Sequence, residues 1–272
     1  KSKMAYLFKL EWLKNRKNTV FLLICFSYLV MLPGTMMIGK SVNPMPPLMP
    51  GNFIFFEFPT NWDFFAYAGS WLAFFMFGFF AVYTVTSEYS FKTLRQSIIN
   101  GLHRNQFVSA KLLFIFLLCA AATLYYIVCV VVCGYIHEPH TKLDFAFDQP
   151  LIILKFFLMN ISYGVFGLLL GFLLRRSGLA LFTYMIYIMM LEPFIRWVLI
   201  QKYVHKSAHI YFPMNVFEDL TPLPFYRMMP DQFKTAGGAM TLVPDAISIP
   251  LAIAYIAIFI WGMYYLIRKR DL

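Results

Sequence analysis

Six apolar stretches, each roughly 20 residues or longer, decide what this chain can fold into. They lie at Thr19–Gly39, Phe64–Ser87, Leu112–Ile136, Ile152–Leu174, Gly178–Ile200 and Ile247–Ile267. A helix of that length crosses the ~30 Å hydrocarbon layer, and it satisfies its own backbone hydrogen bonds, so lipid can surround it. The charges between the stretches follow the same logic. The N-terminal arm, the second and fourth connections and the C-terminal tail hold 15 of the 23 Lys/Arg but 3 of the 13 Asp/Glu. Basic residues beside span ends resist translocation. The sorting therefore predicts an all-α membrane protein with six transmembrane helices and both termini on the basic, cytoplasmic side, as a single transmembrane domain over residues 1–272.

Composition excludes other classes. The chain is 60% hydrophobic and 13% charged, against about 25% charged residues in a soluble domain. The net charge of +10 lies beside spans, where anionic lipid attracts it, so no nucleic-acid partner is expected. Cys25, Cys119, Cys129 and Cys133 all fall within spans, as small packing residues do. The first span follows a basic arm, lacks a small-residue cleavage pattern and exceeds a signal-peptide core, which predicts a retained helix.

The connections carry the local detail. In residues 4–17, Tyr6, Leu10 and Leu13 recur at helical spacing beside Phe8 and Trp12, among Lys9, Lys14, Arg16 and Lys17. That pattern predicts an interfacial helix, apolar face in the membrane and basic groups toward lipid phosphates. The outer connection 40–63 contains Pro44, Pro46, Pro47 and Pro50, which forbid a regular helix; Trp62 and Tyr67 are candidate anchors at the outer end of the second span. In connection 88–111, Phe91, Leu94, Ile98 and Leu102 form a stripe at three- and four-residue intervals, with Lys92, Arg95 and Gln96 off it. The spacing predicts a short amphipathic helix ending at Asn100-Gly101, then a second helix through Phe107 and Lys111 into the third span. Arg175-Arg176-Ser177 reads as a tight turn. Connection 201–246 is too long and apolar to lack structure; its prolines predict short helices at the membrane edge, and Gly237-Gly238 a turn before the last span.

Several motifs are weighed against plainer readings. Gly34-Thr-Met-Met-Ile-Gly39-Lys40-Ser41 spells a P-loop, but that motif needs a strand before and a helix after it, so no nucleotide site is expected. Asn160-Ile-Ser162 fits a glycosylation acceptor but lies within a span. Gly164, Gly167 and Gly171 allow close helix approach, within the chain or with a second copy. Glu192 and Arg196, four apart around Pro193, read either as a hinge or polar pathway lining or as a snorkelling Arg paired with Glu at the outer surface. His137/His140 and His205/His209 offer two nitrogens each, too few for a zinc site. No catalytic constellation and no cofactor site is found, so the chain is not expected to be an enzyme.

The whole arrangement resembles the membrane permease subunit of a type-2 ABC transporter, the mainly exporting class. The basic arm resembles that family's elbow helix. Glu88 through Thr93-Leu94-Arg95 to Gly101, Arg104 and Ala110-Lys111 resembles its coupling-helix loop. Tyr211 through Pro224 resembles its re-entrant outer segment before span six. The resemblance implies a separate ABC ATPase subunit that binds ATP and Mg, docked on Phe91, Lys92, Leu94, Arg95, Ile98, Leu102 and Arg104, with His103 at the rim. It implies a bacterial plasma (inner) membrane location and a dimer with a second permease copy or a related permease. Tyr211 and Phe212, with Phe53, Phe55 and Phe56, are then candidates for an outer gate, and Glu192, Pro193 and Arg196 for a hinge or pathway. Apolar spans favour a lipid, peptide or hydrophobic drug as substrate. The rival expectations are an ATP-independent secondary transporter or channel, for which Glu192–Arg196 is the one intramembrane ionisable pair legible in the spans, and a non-transporting anchor or sensor.

Overall fold

Every regular element among the described residues is helical, and each begins or ends where its own sequence forces it to. The structure, a computed structural model, describes residues 3–41, 55–142, 147, 149–200, 208–224 and 242–269. Helix α1 (Lys3–Asn15) is followed by α2 (Thr19–Ser41). Asn18 caps α2, its Oδ1 accepting from the Val20 N–H at 2.9 Å, which satisfies one orphan donor of the first turn. Next come α3 (Thr60–Ser90), α4 (Thr93–Ile99), α5 (Arg104–His137) and α6 (Leu151–Leu174). The last three are α7 (Ser177–Val198), α8 (Pro213–Asp219) and α9 (Asp245–Lys269). The six long helices, α2, α3, α5, α6, α7 and α9, are each long and apolar enough to cross a membrane.

Glycine and left-handed residues place the sharp turns. Gly101, at φ +95°, ends α4: its N–H donates to Ile98 O and that of Leu102 to Ser97 O, both at 3.0 Å. This pair of bonds satisfies the terminal carbonyls as in a Schellman motif. A capping box of His103 and Gln106 then starts α5. At 34 residues and ~1.5 Å per residue, α5 is longer than a bilayer core requires, and its first two turns stand beyond the span read from hydropathy. Arg175, at φ 57°, reverses the chain between α6 and α7, and Ser177 Oγ pins the turn to Thr86 Oγ1 at 2.9 Å.

α6 is the central column. A Cβ built on Gly167 meets Gly78 O at 2.5 Å, and one on Gly171 meets Val85 Cβ at 2.9 Å. These glycines let α3 and α6 touch backbone to backbone, while Gly164 admits Ile115 of α5. The small-residue stripe thus serves packing within the chain. α3 widens into a π-helical turn at Ala73–Gly78, where the Phe74 carbonyl accepts from the buried Tyr184 hydroxyl of α7 at 3.0 Å.

Several motifs of the sequence have definite places in the fold. The P-loop spelling lies in the last turns of α2, with no loop to cradle a phosphate. Asn160 is buried and its Nδ2 donates to Phe156 O at 2.8 Å. Phe55 and Phe56 are buried against Phe64 and His137 rather than exposed as a gate. His137 Nδ1 is engaged by Cys133 O, and Glu138 Oε2 accepts the Phe58 N–H at 3.0 Å. Phe53, the four prolines at 44–50, His205 and Gly237-Gly238 lie outside the described residues.

Candidate functional site

The chain's most constrained polar group sits at the end of the bundle where α1, α3, α4 and α5 meet. Lys111, in α5, is buried, and its Nζ donates to Glu11 Oε2 of α1 at 2.8 Å, to Glu88 Oε1 of α3 at 2.7 Å and to Thr84 Oγ1 at 3.1 Å. All three ammonium donors are therefore used. Lys14 adds a second cation, 2.8 Å from Glu88 Oε1 and 3.4 Å from Glu11 Oε1. Both ammoniums lie over the buried Phe107 ring, at 5.4 and 6.0 Å from its centroid. Glu88 Oε2 accepts from Thr93 Oγ1 at 3.3 Å. Thr93 opens α4, so the cluster reaches into the short helix.

Burial explains the composition of this group. A lone charge buried here would be expensive to desolvate, so two carboxylates and two ammoniums are gathered with a hydroxyl filling the remaining valence. The result is a charge-neutral lock on four helices. A cavity of about 270 Å³ opens beside it, lined by Lys14, Asn18, Thr84, Glu88, Phe91 and Thr93 among others. In α1, Leu7 and Glu11 face the bundle, while Tyr6, Trp12 and Leu13 face outward. Lys14, expected at lipid phosphates, is turned to the two carboxylates instead.

The docking candidates of connection 88–111 divide between two faces of α4. Leu94 is 2% exposed, and Ile98 and Leu102 pack beside it against the bundle core. Leu94 thus faces its own chain, and Ile98 and Leu102 are half-buried beside it. Phe91 is 75% exposed and Ile99, which the sequence stripe omitted, 74%. Lys92 and Arg95 are exposed on the same outward side, and so is His103. Arg104 Nη1 donates to Ile267 O at 3.3 Å, tying the start of α5 to the end of α9.

At the opposite end, Glu192 and Arg196 are drawn into a hydrogen-bond network with a later segment of the chain. Both are buried, which excludes a snorkelling pair at the surface. They bind one segment rather than each other. Glu192 Oε1 accepts the N–H groups of Met214 and Asn215 at 2.8 and 3.1 Å, capping α8. Arg196 donates from Nε to His209 O at 3.1 Å and from Nη2 to Asn215 Oδ1. Asn215 bonds onward to Asp219, which accepts the Val243 N–H at 3.0 Å. Burial pushes the Asp219 carboxyl up to about 6, against the opposing pull of the Val243 N–H and Arg196. Pro193 sits between π-helical turns at Tyr187–Leu191 and Ile195–Ile200, a local break of the kind that bends helices. Tyr211, 40% exposed, accepts the Tyr255 hydroxyl on its carbonyl at 2.6 Å, and Phe212 is half-buried. Both stand at this end, apart from the charge lock.

Six helices long and apolar enough to cross a membrane make this a multi-pass membrane protein. The family model described as ABC-2 family transporter protein matches residues 7–191, about two thirds of the chain, from within α1 to the residue before Glu192. The chain belongs to that family and is a membrane permease of an ABC transporter. No curated protein matches its sequence.

Proposed function

We propose that the outward face of α4 receives a separate ATP-hydrolysing subunit, and that the Glu11–Lys14–Glu88–Lys111 lock carries its movement into α1, α3 and α5. One observation carries the reading: the seven-residue helix Thr93–Ile99 and the two residues before it leave two large apolar side chains, Ile99 and Phe91, in the open with the exposed Arg95 and Lys92, while Leu94 is fastened to the bundle. An exposed apolar pair rimmed by cations suits a groove with an acidic border. A short helix moves a bundle only if it is rigidly joined to it, and the buried ion pairs with Leu94 supply that joint. ATP and Mg then belong to the partner, and the permease moves as packed units between two arrangements.

The same reading places the basic end in the cytoplasm of a bacterial plasma membrane. It pairs the chain with a second copy or a related permease through the exposed apolar faces of α2, α7 or α9, with export of a hydrophobic substrate between the two. The test is Phe91→Asp with Ile99→Asp, and separately Lys92→Glu with Arg95→Glu, in the full chain co-expressed with a candidate ABC ATPase subunit. Loss of co-purification and of transport-coupled ATP hydrolysis, with an unchanged melting profile, is expected. Normal assembly and transport in the Phe91/Ile99 variant overturns the docking assignment.

A further inference from the structure

A groove follows the outside of α9 at the basic end. Its inner part is a cavity of about 290 Å³ between α1, α5, α6 and α9, walled chiefly by Met4, Leu113, Phe116, Val165, Ile260 and Tyr264. Its outer part, a wider opening of about 690 Å³, is lined by Trp261, Tyr264, Tyr265, Arg268 and Lys269. Tyr264 lines both, so the two abut, and its hydroxyl is held by Ser109 Oγ at 2.8 Å. The inner part is apolar; the outer part is aromatic and cationic, with no acid among its described lining residues.

The outer side chains are arranged before anything binds. Trp261 and Tyr265 stack at 5.6 Å with 20° between their planes, and Trp261 is 67% exposed. Lys269 Nζ donates to Tyr265 Oη at 2.9 Å and lies over that ring. Arg268 Nε donates to Asn105 Oδ1 at 3.1 Å, which orients the guanidinium. From Trp261 to Lys269 α9 rises about 12 Å, which places an apolar slot directly below two cations. Interfacial aromatics below Lys/Arg match the change from acyl chain to headgroup.

We propose that this groove binds one anionic phospholipid, its phosphate between Arg268 and Lys269 and an acyl chain in the cavity between α5 and α9. Charge complementarity selects the anionic headgroup over a zwitterionic one, since each basic group near a membrane surface favours anionic lipid by roughly fivefold. Walls contributed by α1, α5, α6 and α9 distinguish the site from the general lipid coat. The inference stands apart from the α4 docking reading, because none of its residues belongs to α4 or to the charge lock.

The experiment uses the full-length protein in mixed micelles and measures fluorescence quenching by chain-dibrominated phosphatidylglycerol and phosphatidylcholine. The Trp261 signal is isolated as the difference from Trp261→Phe. Phosphatidylglycerol is expected to quench it with about 25-fold preference at low salt, roughly fivefold for each of the two cations. The preference should vanish in Arg268→Gln/Lys269→Gln. Ile260→Phe, which narrows the cavity and keeps both cations, should weaken quenching by the brominated chain. Equal quenching by the two lipids, or an unchanged preference in the double variant, overturns the proposal. Complete displacement of brominated phosphatidylglycerol by glycerol 3-phosphate also overturns it, because the groove would then be a site for the phosphate alone.

Discussion

Replacing Lys111 by Met keeps the length of the side chain and removes the one buried cation shared by Glu11 and Glu88. The lock then holds two carboxylates and Lys14 alone, whose side chain is 32% exposed. Breaking a buried pair by removing one partner costs about 3–5 kcal/mol. Lys14 still sits 2.8 Å from Glu88 and softens the loss, so the lower end, about 3 kcal/mol, is expected. Glu11 fares worst, since its remaining cation is 3.4 Å away on the other oxygen. Thermal unfolding of the purified protein in one fixed detergent should shift down by roughly 6–12 °C on the scaling for chains of this size.

The double variant Glu88→Gln/Lys111→Met decides whether charge is the cause. It removes one charge of each sign and leaves Glu11 with Lys14, so it should recover at least ~1 kcal/mol relative to the sum of the single losses. A Lys111→Met variant that melts with the wild type refutes the reasoning. A double variant that is merely additive refutes it as well, since the cost would then come from packing against Phe107. Recovered stability without recovered coupling between ATP hydrolysis and transport is expected if the lock transmits force.

Three further outcomes follow from particular contacts. Gly167→Ala places a methyl 2.5 Å from Gly78 O and should destabilise by about 1–3 kcal/mol through overpacking, read as a lower melting temperature; an unchanged melt would mean α3 and α6 are not in backbone contact. Tyr184→Phe leaves the Phe74 carbonyl without its 3.0 Å donor and should cost about 1–3 kcal/mol, measured in the same assay. Asp219, with its folded pKa raised from 3.8 to about 6, binds a proton more readily folded than unfolded. Its stabilising effect is therefore complete below pH ~4 and lost as pH rises through ~6, by at most about 3 kcal/mol. Asp219→Asn should flatten the wild type's melting profile between pH 4 and 7, and equal slopes in the two proteins would contradict the burial of this carboxyl.

Much of the fold was legible because the bilayer simplifies the problem. A span must be long, apolar and helical, so hydropathy located all six, and Gly101 with its left-handed backbone ended α4 where the pattern placed it. The orientation of side chains was less legible. The stripe of Phe91, Leu94, Ile98 and Leu102 assumed one apolar face turned to one partner, yet α4 has two environments, and Leu94 faces its own bundle while Phe91 and Ile99 do not. Amphipathicity reports that a helix has an apolar side, not whose surface covers it. Glu192 and Arg196 were incompletely legible for a related reason: spacing of four put them on one side, but their partners, His209, Met214 and Asn215, lie 13 to 23 residues on, which no local pattern encodes.

The lock escaped notice because its members were counted as topology signals. Charge sorting treats the basic flanks as a sum, in which Glu11 and Glu88 are small deductions. Their rarity was the informative part. Acids contribute little to orientation, so insertion does not account for Glu11 and Glu88 and another reason has to. Here the reason is physical: a lysine at the mouth of α5 can be buried only if carboxylates meet it, and the two that do come from α1 and α3. The acids that break the sorting therefore mark where the flanking elements cease to be separate membrane anchors and become one mechanical unit. If an ATPase pushes α4, as proposed, an arm held only by lipid would slide, whereas an arm whose Glu11 shares Lys111 with Glu88 would move with α3 and α5.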